Sequence, residues 1–264
     1  MSRSPDSGLF RWLKKDQPNR DNTANNAIDR LIKNKEFQLF FQPLVDLSTG
    51  AIFAYEALLR SKTPAFKGPF DILDAAVAAH RVSELGLATR KMSVETCEDW
   101  PLFINIHPND FDEGLLVQPT DPVFFHGHPI HVEITESVPL SHFELCHSVL
   151  TELRSKGIKL AIDDLGAGYS NLKYISDLSP EIVKLDRNLI MDLDRSPRQQ
   201  QLVKHIVELC EGMGARVVAE GIETVGELHA SQDAGAAFGQ GFLLARPAFP
   251  PPPVYWPDHE KKHA

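Results

Sequence analysis

A chain of 264 residues, 42% apolar and 24% charged, is long enough for one large barrel or two small domains and apolar enough to bury a full core. Lys+Arg 27 against Asp+Glu 36 leaves a formal charge of −9, which excludes an extended surface for duplex nucleic acid but not one small phosphorylated ligand held through metal. No apolar run reaches the length of a membrane span, no signal-peptide pattern opens the chain, and three scattered cysteines (Cys97, Cys146, Cys210) without ligand spacing fit a reducing cytoplasm.

Residues 1–25 are rich in Asn, Asp and Ser and read as a mobile polar tail. Within them Leu9–Lys15 is either a weak docking segment for a membrane or partner, or a greasy remnant of one or two turns. Residues 26–249 carry the barrel pattern, and 250–264, with Pro250–Pro253, Tyr255 and Trp256, read as an extended Pro-rich tail.

Inside the barrel segment, strands are expected at Phe37–Val45 and Ile52–Leu59; the five residues Asp46–Gly50 between them are too few for anything but an antiparallel pair. Helices around 70–80 and 84–98 then precede a strand at Leu102–His107. Strand Ile130–Thr135 leads to a helix with Ser141 and Glu144 as capping box and Gly157 at its end. Strands Ile158–Asp163 and Ile182–Asp186, a helix over 197–212 and strand Arg216–Glu220 follow. Thr224 and Glu227 cap a helix that ends near Gly235, and Phe238–Leu244 is the last expected strand. Eight strands with helices in most gaps make an α/β fold, a modified (β/α)8 TIM-type barrel with one antiparallel strand.

The polar residues that close these short apolar runs carry the chemistry. Glu56, Asn105, Glu133, Asp163, Asp164 and Glu220 all fall at strand ends, and parallel strands bring such ends to one face of a barrel. So many carboxylates require cations, which makes a metal site the expected outcome. Asp163-Asp164 alone has two readings, helix capping or a pair holding two divalent ions; its company at the other strand ends favours metal. Gly166-Ala167-Gly168-Tyr169-Ser170 is a poor dinucleotide turn because two aspartates precede it, and reads as a glycine-rich loop over the site, with Ser170 or Asn171 capping the next helix. Lys184 shares a strand face with Asp186, and is either its salt-bridge partner or a cation aimed at water or a phosphoryl oxygen. Glu220 is a further ligand or a general base, and Glu136 and Glu223, three residues past strand-end glutamates, read as loop supports. His126, His128 and His131 cluster without an acidic partner and read as surface residues.

Taken together, Phe-Gln-Leu-Phe-Phe-Gln-Pro-Leu-Val, Glu-Ala-Leu-Leu-Arg, Glu-Ile-Thr-Glu, Asp-Asp-Leu-Gly-Ala-Gly-Tyr-Ser, Lys-Leu-Asp, Ala-Glu-Gly-Ile-Glu-Thr and Gln-Gly-Phe-Leu, in this order from Phe37 to Pro247, resemble the EAL domain family of cyclic di-GMP phosphodiesterases. The resemblance implies a barrel that hydrolyses this bacterial second messenger to the linear dinucleotide pGpG with two Mg2+ or Mn2+ ions. By the same resemblance Glu56, Asn105, Glu133, Asp163 and Asp164 are metal ligands, Glu220 pairs with the attacking water, either as base or as ligand to the second metal, and Lys184 orients that water. Arg60 grips a phosphate, and Gln42, Asp186 and Gln240 stand on the substrate side. Glu136 anchors the glycine loop (Gly166, Gly168), which in the family couples a homodimer to catalysis, and a regulatory protein is a further partner the family admits. His107 stands where the family commonly has serine, and Leu165 and Ala167 where it often has Phe and Thr. The rival reading is a degenerate barrel that binds cyclic di-GMP without cutting it and signals through a protein partner. Such receptors typically lose ligand carboxylates or the catalytic glutamate, and every one stands in this chain.

Overall fold

The computed structural model describes residues 22–111, 116, 118–135, 143–167 and 172–257. Helix α1 (Asn22–Lys33) starts inside the segment expected as tail and leads into the hairpin of β1 (Phe37–Asp46) and β2 (Ile52–Ser61). Asp46 organises the hairpin turn, its carboxylate accepting the backbone N–H groups of Ser48 at 3.0 Å and Thr49 at 2.9 Å. Gly50 closes the turn at φ +75°, where an added Cβ would lie 2.8 Å from the Trp256 ring.

Helices α2 (Pro69–Ala78) and α3 (Val82–Thr96) pack with α1 around Phe37, Ile72 and Leu85, closing the top of the hairpin. The remaining strands are β3 (Leu102–Asn105), β4 (Ile130–Thr135), β5 (Lys159–Leu165), β6 (Ile182–Leu185), β7 (Arg216–Ala219) and β8 (Phe238–Gly239). They close an eight-stranded barrel in sequence order. Pairings from β2 to β8 are parallel, and β1 runs antiparallel to both its neighbours, so it is the single reversed strand the short hairpin demanded.

Helices α4 (Phe143–Ser155), α5 (Lys173–Leu178), α6 (Arg187–Ile190), α7 (Pro197–Gly212) and α8 (Val225–Asp233) follow β4 to β7, with α6 and α7 both between β6 and β7. Their apolar faces and the outer faces of the strands form one core; each fully buried large side chain in it, such as Phe41 or Ile175, stabilises the fold by about 1.5–3 kcal/mol. The Thr224–Glu227 capping box is present, and Gly157 follows α4 at φ +86°. The Ser141–Glu144 box lies outside the described side chains.

The last strand is shorter than the expected Phe238–Leu244. Beyond Gly239 the backbone curls around Ile222: Leu243 N donates to Ile222 O at 3.0 Å, and an added Cβ at Gly241 would lie 2.1 Å from that oxygen. From Ala248 the chain runs down the outside of the hairpin. Ala248 exchanges both backbone hydrogen bonds with Phe41, and the Tyr55 hydroxyl donates to Pro252 O at 2.8 Å. No helix among the described residues is long and apolar enough to cross a membrane.

Candidate metal centre

The barrel interior is built in layers. Leu44, Ala54, Phe103, Ala161, Ile182, Val218 and Phe238 form a buried floor, one residue from each of seven strands. His131 takes the eighth place, its ring stacked on Phe103 at 4.3 Å. Strand side chains alternate, so the next inward residue toward the mouth lies two positions on, or two back in the reversed β1. Those positions are Gln42, Glu56, Asn105, Glu133, Asp163, Lys184, Glu220 and Gln240. Every strand therefore delivers one polar group to a single layer.

Within that layer the Lys184 ammonium, 1% exposed, lies 2.6 Å from Glu133, 2.8 Å from Glu220, 3.1 Å from Asp163 and 3.4 Å from Glu56. Asp186 is not among its partners; that carboxylate instead caps α6 by accepting from Asn188 N at 2.9 Å. The Asn105 amide donates to Glu56 and Glu133, both at 3.1 Å. Gln240 donates to Glu56 at 2.7 Å and to Gln42 at 3.1 Å, and Gln42 passes its own amide to Ala245 O at 3.0 Å.

Strict alternation would send Asp164 away from Asp163. The β5–β6 register shifts between Ile162 and Leu165, and Asp164 takes φ +61°, a bulge that re-aims its side chain. As a result Asp163, Asp164 and Glu220 each offer a carboxylate oxygen within 4.8 Å of the others. Gly166, at φ +104°, follows the bulge, and an added Cβ would meet Leu189 Cδ1 at 2.5 Å.

Proton affinities follow from burial and crowding. Burial and the neighbouring Glu56 and Asp163 charges raise the Glu133 carboxyl well above its usual range against the pull of Lys184. Burial raises Glu220 and Asp163 too, although Lys184 pulls both down, and Asp164 is pushed up to about 7 by burial and by Asp163. Glu56 goes the other way: burial opposes it, but Lys184, Gln240 and Asn105 together hold it below its ordinary value. Lys184 stays charged because four carboxylates outweigh its burial. Glu133 Oε1 and Asp163 Oδ1 face the same ammonium at 2.6 Å and 3.1 Å, so one cation serves four carboxylates in the layer. An all-oxygen donor set with that excess of negative charge fits a hard divalent cation.

Around this layer the other expected residues divide. A cavity of about 230 Å³ opens above it, lined by Gln42, Glu56, Asp186, Glu220, Glu223 and Gln240. Leu58, Arg187 and Phe242 also line it and were not anticipated; Leu58 and Phe242 lie two positions beyond Glu56 and Gln240, a signal the period of two contained. Arg60 is half-buried near Phe40, and its guanidinium donates to Leu59 O at 2.8 Å. His107 Nδ1 accepts from Asn109 N at 3.1 Å, capping the turn after β3, and burial pushes its pKa down to about 4. Among the three clustered histidines His131 is a correction: it is 1% exposed and forms part of the floor, with its pKa lowered to about 3 by burial and by Lys159 and Arg216. Glu136, Gly168, Ser170 and Asn171 lie outside the described residues.

The EAL domain profile matches residues 25–247. This chain belongs to the EAL domain family. It is 32% identical over 244 residues to the cyclic di-GMP phosphodiesterase PA2567 of Pseudomonas aeruginosa, covering 86% of this chain and 41% of that protein. To the cyclic di-GMP phosphodiesterase RocR of the same organism it is 31% identical, over 83% of this chain and 59% of RocR. Among solved structures, the Klebsiella pneumoniae BlrP1 calcium/cyclic di-GMP complex superposes with a TM-score of 0.73 at 31% identity, over 81% of this chain and 56% of that one. The same protein has been solved in manganese/cyclic di-GMP complexes. The chain thus spans well under two thirds of the length of these relatives.

Proposed function

We propose that this EAL domain is a divalent-cation-dependent phosphodiesterase that opens cyclic di-GMP to linear pGpG. The observation that carries the reading is the polar layer itself, with Asp163, Asp164 and Glu220 oxygens within 4.8 Å of one another beside the buried Lys184. Glu56, Asn105 (through Oδ1), Glu133, Asp163 and Asp164 are the groups that would hold two Mg2+ or Mn2+ ions. Bound there, such ions supply Lewis-acid stabilisation of phosphoryl oxygens and ease deprotonation of water.

The chain's own residues do the rest. Glu220, whose proton affinity burial raises, accepts the proton of the attacking water. Lys184 lies 2.8 Å from Glu220, fixing its carboxylate and placing positive charge beside the developing charge on phosphorus oxygens. Gln42, Asp186 and Gln240 line the cavity and hold the dinucleotide over the layer, with Leu58 and Phe242 as apolar wall. Arg60 is not part of that lining and reaches a phosphate only by leaving Leu59 O. A homodimer coupled to the site through Glu136 and the loop after Gly166 belongs to the same proposal. Its test is sedimentation of the wild-type chain and of Glu136→Ala, which should need more Mg2+ for the same activity.

The deciding experiment incubates the purified chain with cyclic di-GMP and resolves products by chromatography, with Mg2+, with Mn2+ and with EDTA. Cation-dependent appearance of pGpG is expected. Tight binding of cyclic di-GMP without any product in either cation would replace the enzyme with a receptor.

A further inference from the structure

The Glu220 side of the centre is held by a strut from the neighbouring loop. Arg187, the first residue of α6, reaches across to the segment that follows β7, where one of its guanidinium nitrogens donates to Gly221 O at 2.7 Å and meets the Glu223 carboxylate at 2.7 Å. The contact extends along the side chain: a Cβ added at Gly221, which stands at φ +70°, would lie 2.6 Å from Arg187 Cγ. Gly221 directly follows Glu220, so the guanidinium holds the Gly221–Ile222 peptide, one residue beyond the backbone that carries the Glu220 side chain. On the far side the loop is fixed independently, because Glu227 accepts from Glu223 N at 2.8 Å and from Asp192 N at 3.1 Å. Arg187 is the cationic side chain on a cavity wall that also carries Glu56, Asp186, Glu220 and Glu223. Its charge is engaged by Glu223, which leaves it a structural clamp.

We infer that Arg187 is a positioning residue that acts through Gly221 and Glu223 to set the Glu220 carboxylate against Asp163 and Asp164. The inference rests on the cation-dependent reading above and names a residue that reading does not use. Free Mn2+ is titrated by electron paramagnetic resonance into the wild-type chain, Arg187→Met, Glu223→Gln and the double variant, without substrate, and turnover of cyclic di-GMP is then split into kcat and KM. Because a Glu220 oxygen lies within 4.8 Å of the Asp163 and Asp164 oxygens and so belongs to the charge that draws the ion, Arg187→Met should weaken Mn2+ binding about tenfold, about 1.4 kcal/mol. It should also lower kcat at least as much and leave KM within about twofold. Glu223→Gln should move the same quantities in the same direction, and the double variant should match Arg187→Met alone, as coupled residues do. Arg187→Lys, which keeps charge and stem, serves if the Met variant fails to fold and should fall between. Unchanged Mn2+ affinity in a folded variant, additive effects, or a rise in KM alone overturns the inference; the last would make Arg187 a substrate contact. A wild-type chain that binds Mn2+ but does not turn over would sink the phosphodiesterase reading while leaving the Mn2+ comparison intact.

Discussion

Replacing Lys184 by Met removes the ammonium from the centre of the polar layer and keeps much of its volume. Lys184 is 1% exposed and its partner Glu133 is fully buried, while Glu56, Asp163 and Glu220 remain 7%, 12% and 17% exposed. Breaking a buried ion pair by removing one partner costs about 3–5 kcal/mol, because the other charge is left uncompensated. Here four carboxylates lose their shared cation, so the upper half of that range applies unless protons are taken up instead. For a chain of this size the loss corresponds to a fall in Tm of about 8–20 °C. Thermal unfolding of both proteins in EDTA at pH 8, followed by circular dichroism, measures it. Saturating Mg2+ should then recover part of the loss in the variant, since a ligand that binds only the folded state stabilises it. A Lys184→Met protein that melts with the wild type in EDTA would refute the claim that this ammonium balances the layer.

Three further outcomes follow from the same geometry. Glu220→Ala should lower kcat by at least about a thousandfold, roughly 4 kcal/mol of barrier, with the fold retained, and near-wild-type turnover would remove Glu220 from the reaction. Gly166→Ala places a Cβ 2.5 Å from Leu189 at φ +104°; strain of about 1–3 kcal/mol should appear in denaturant unfolding, and an unchanged midpoint would show that Leu189 and the turn give way freely. His107→Ser should keep kcat within about tenfold, because His107 caps a turn and burial holds its pKa at about 4; a collapse of rate would move His107 into the chemistry.

How much of this was legible in the sequence depends on the kind of signal. The eight strands and their polar ends were, because a strand that alternates must bury one face, and Glu56, Asn105, Glu133, Lys184 and Glu220 each stand at a fixed step from a buried floor residue. The Thr224–Glu227 box was legible for an equally local reason. What failed was whatever depends on a partner far along the chain. Phe238–Leu244 looks like strand throughout, but Ile222 captures the backbone after Gly239. His131 looks like a surface histidine until Phe103 and Phe53 close around it. The cooperation of Asp163 with Asp164 needs a bulge that period-two reasoning forbids, and Arg187 carries no pattern of its own, only a place after Lys-Leu-Asp.

Outside the barrel, the same competition between burial and charge recurs where no cation is expected, and there it can be isolated. Arg90, on α3, is fully buried against Asp110 at 3.5 Å and Asp121 at 2.9 Å, which ties the turn after β3 to the helix. Two carboxylates share one guanidinium. Burial therefore dominates for Asp110 and lifts its pKa to about 6 against Arg90 and against the hydrogen bond from His107 N. A carboxyl whose folded pKa lies above its unfolded value of 3.8 binds more protons when folded. The contribution is present below pH 3.8 and is lost as pH rises through about 6, amounting to roughly 3 kcal/mol at 1.36 kcal/mol per unit. Asp110→Asn keeps an acceptor for His107 N and cannot ionise, so its stability relative to wild type should rise by about 2–3 kcal/mol between pH 4 and pH 7 in denaturant titrations. If the difference stays flat or reverses across that window, Arg90 outweighs burial, and Asp110 is a carboxylate at every pH at which the fold survives.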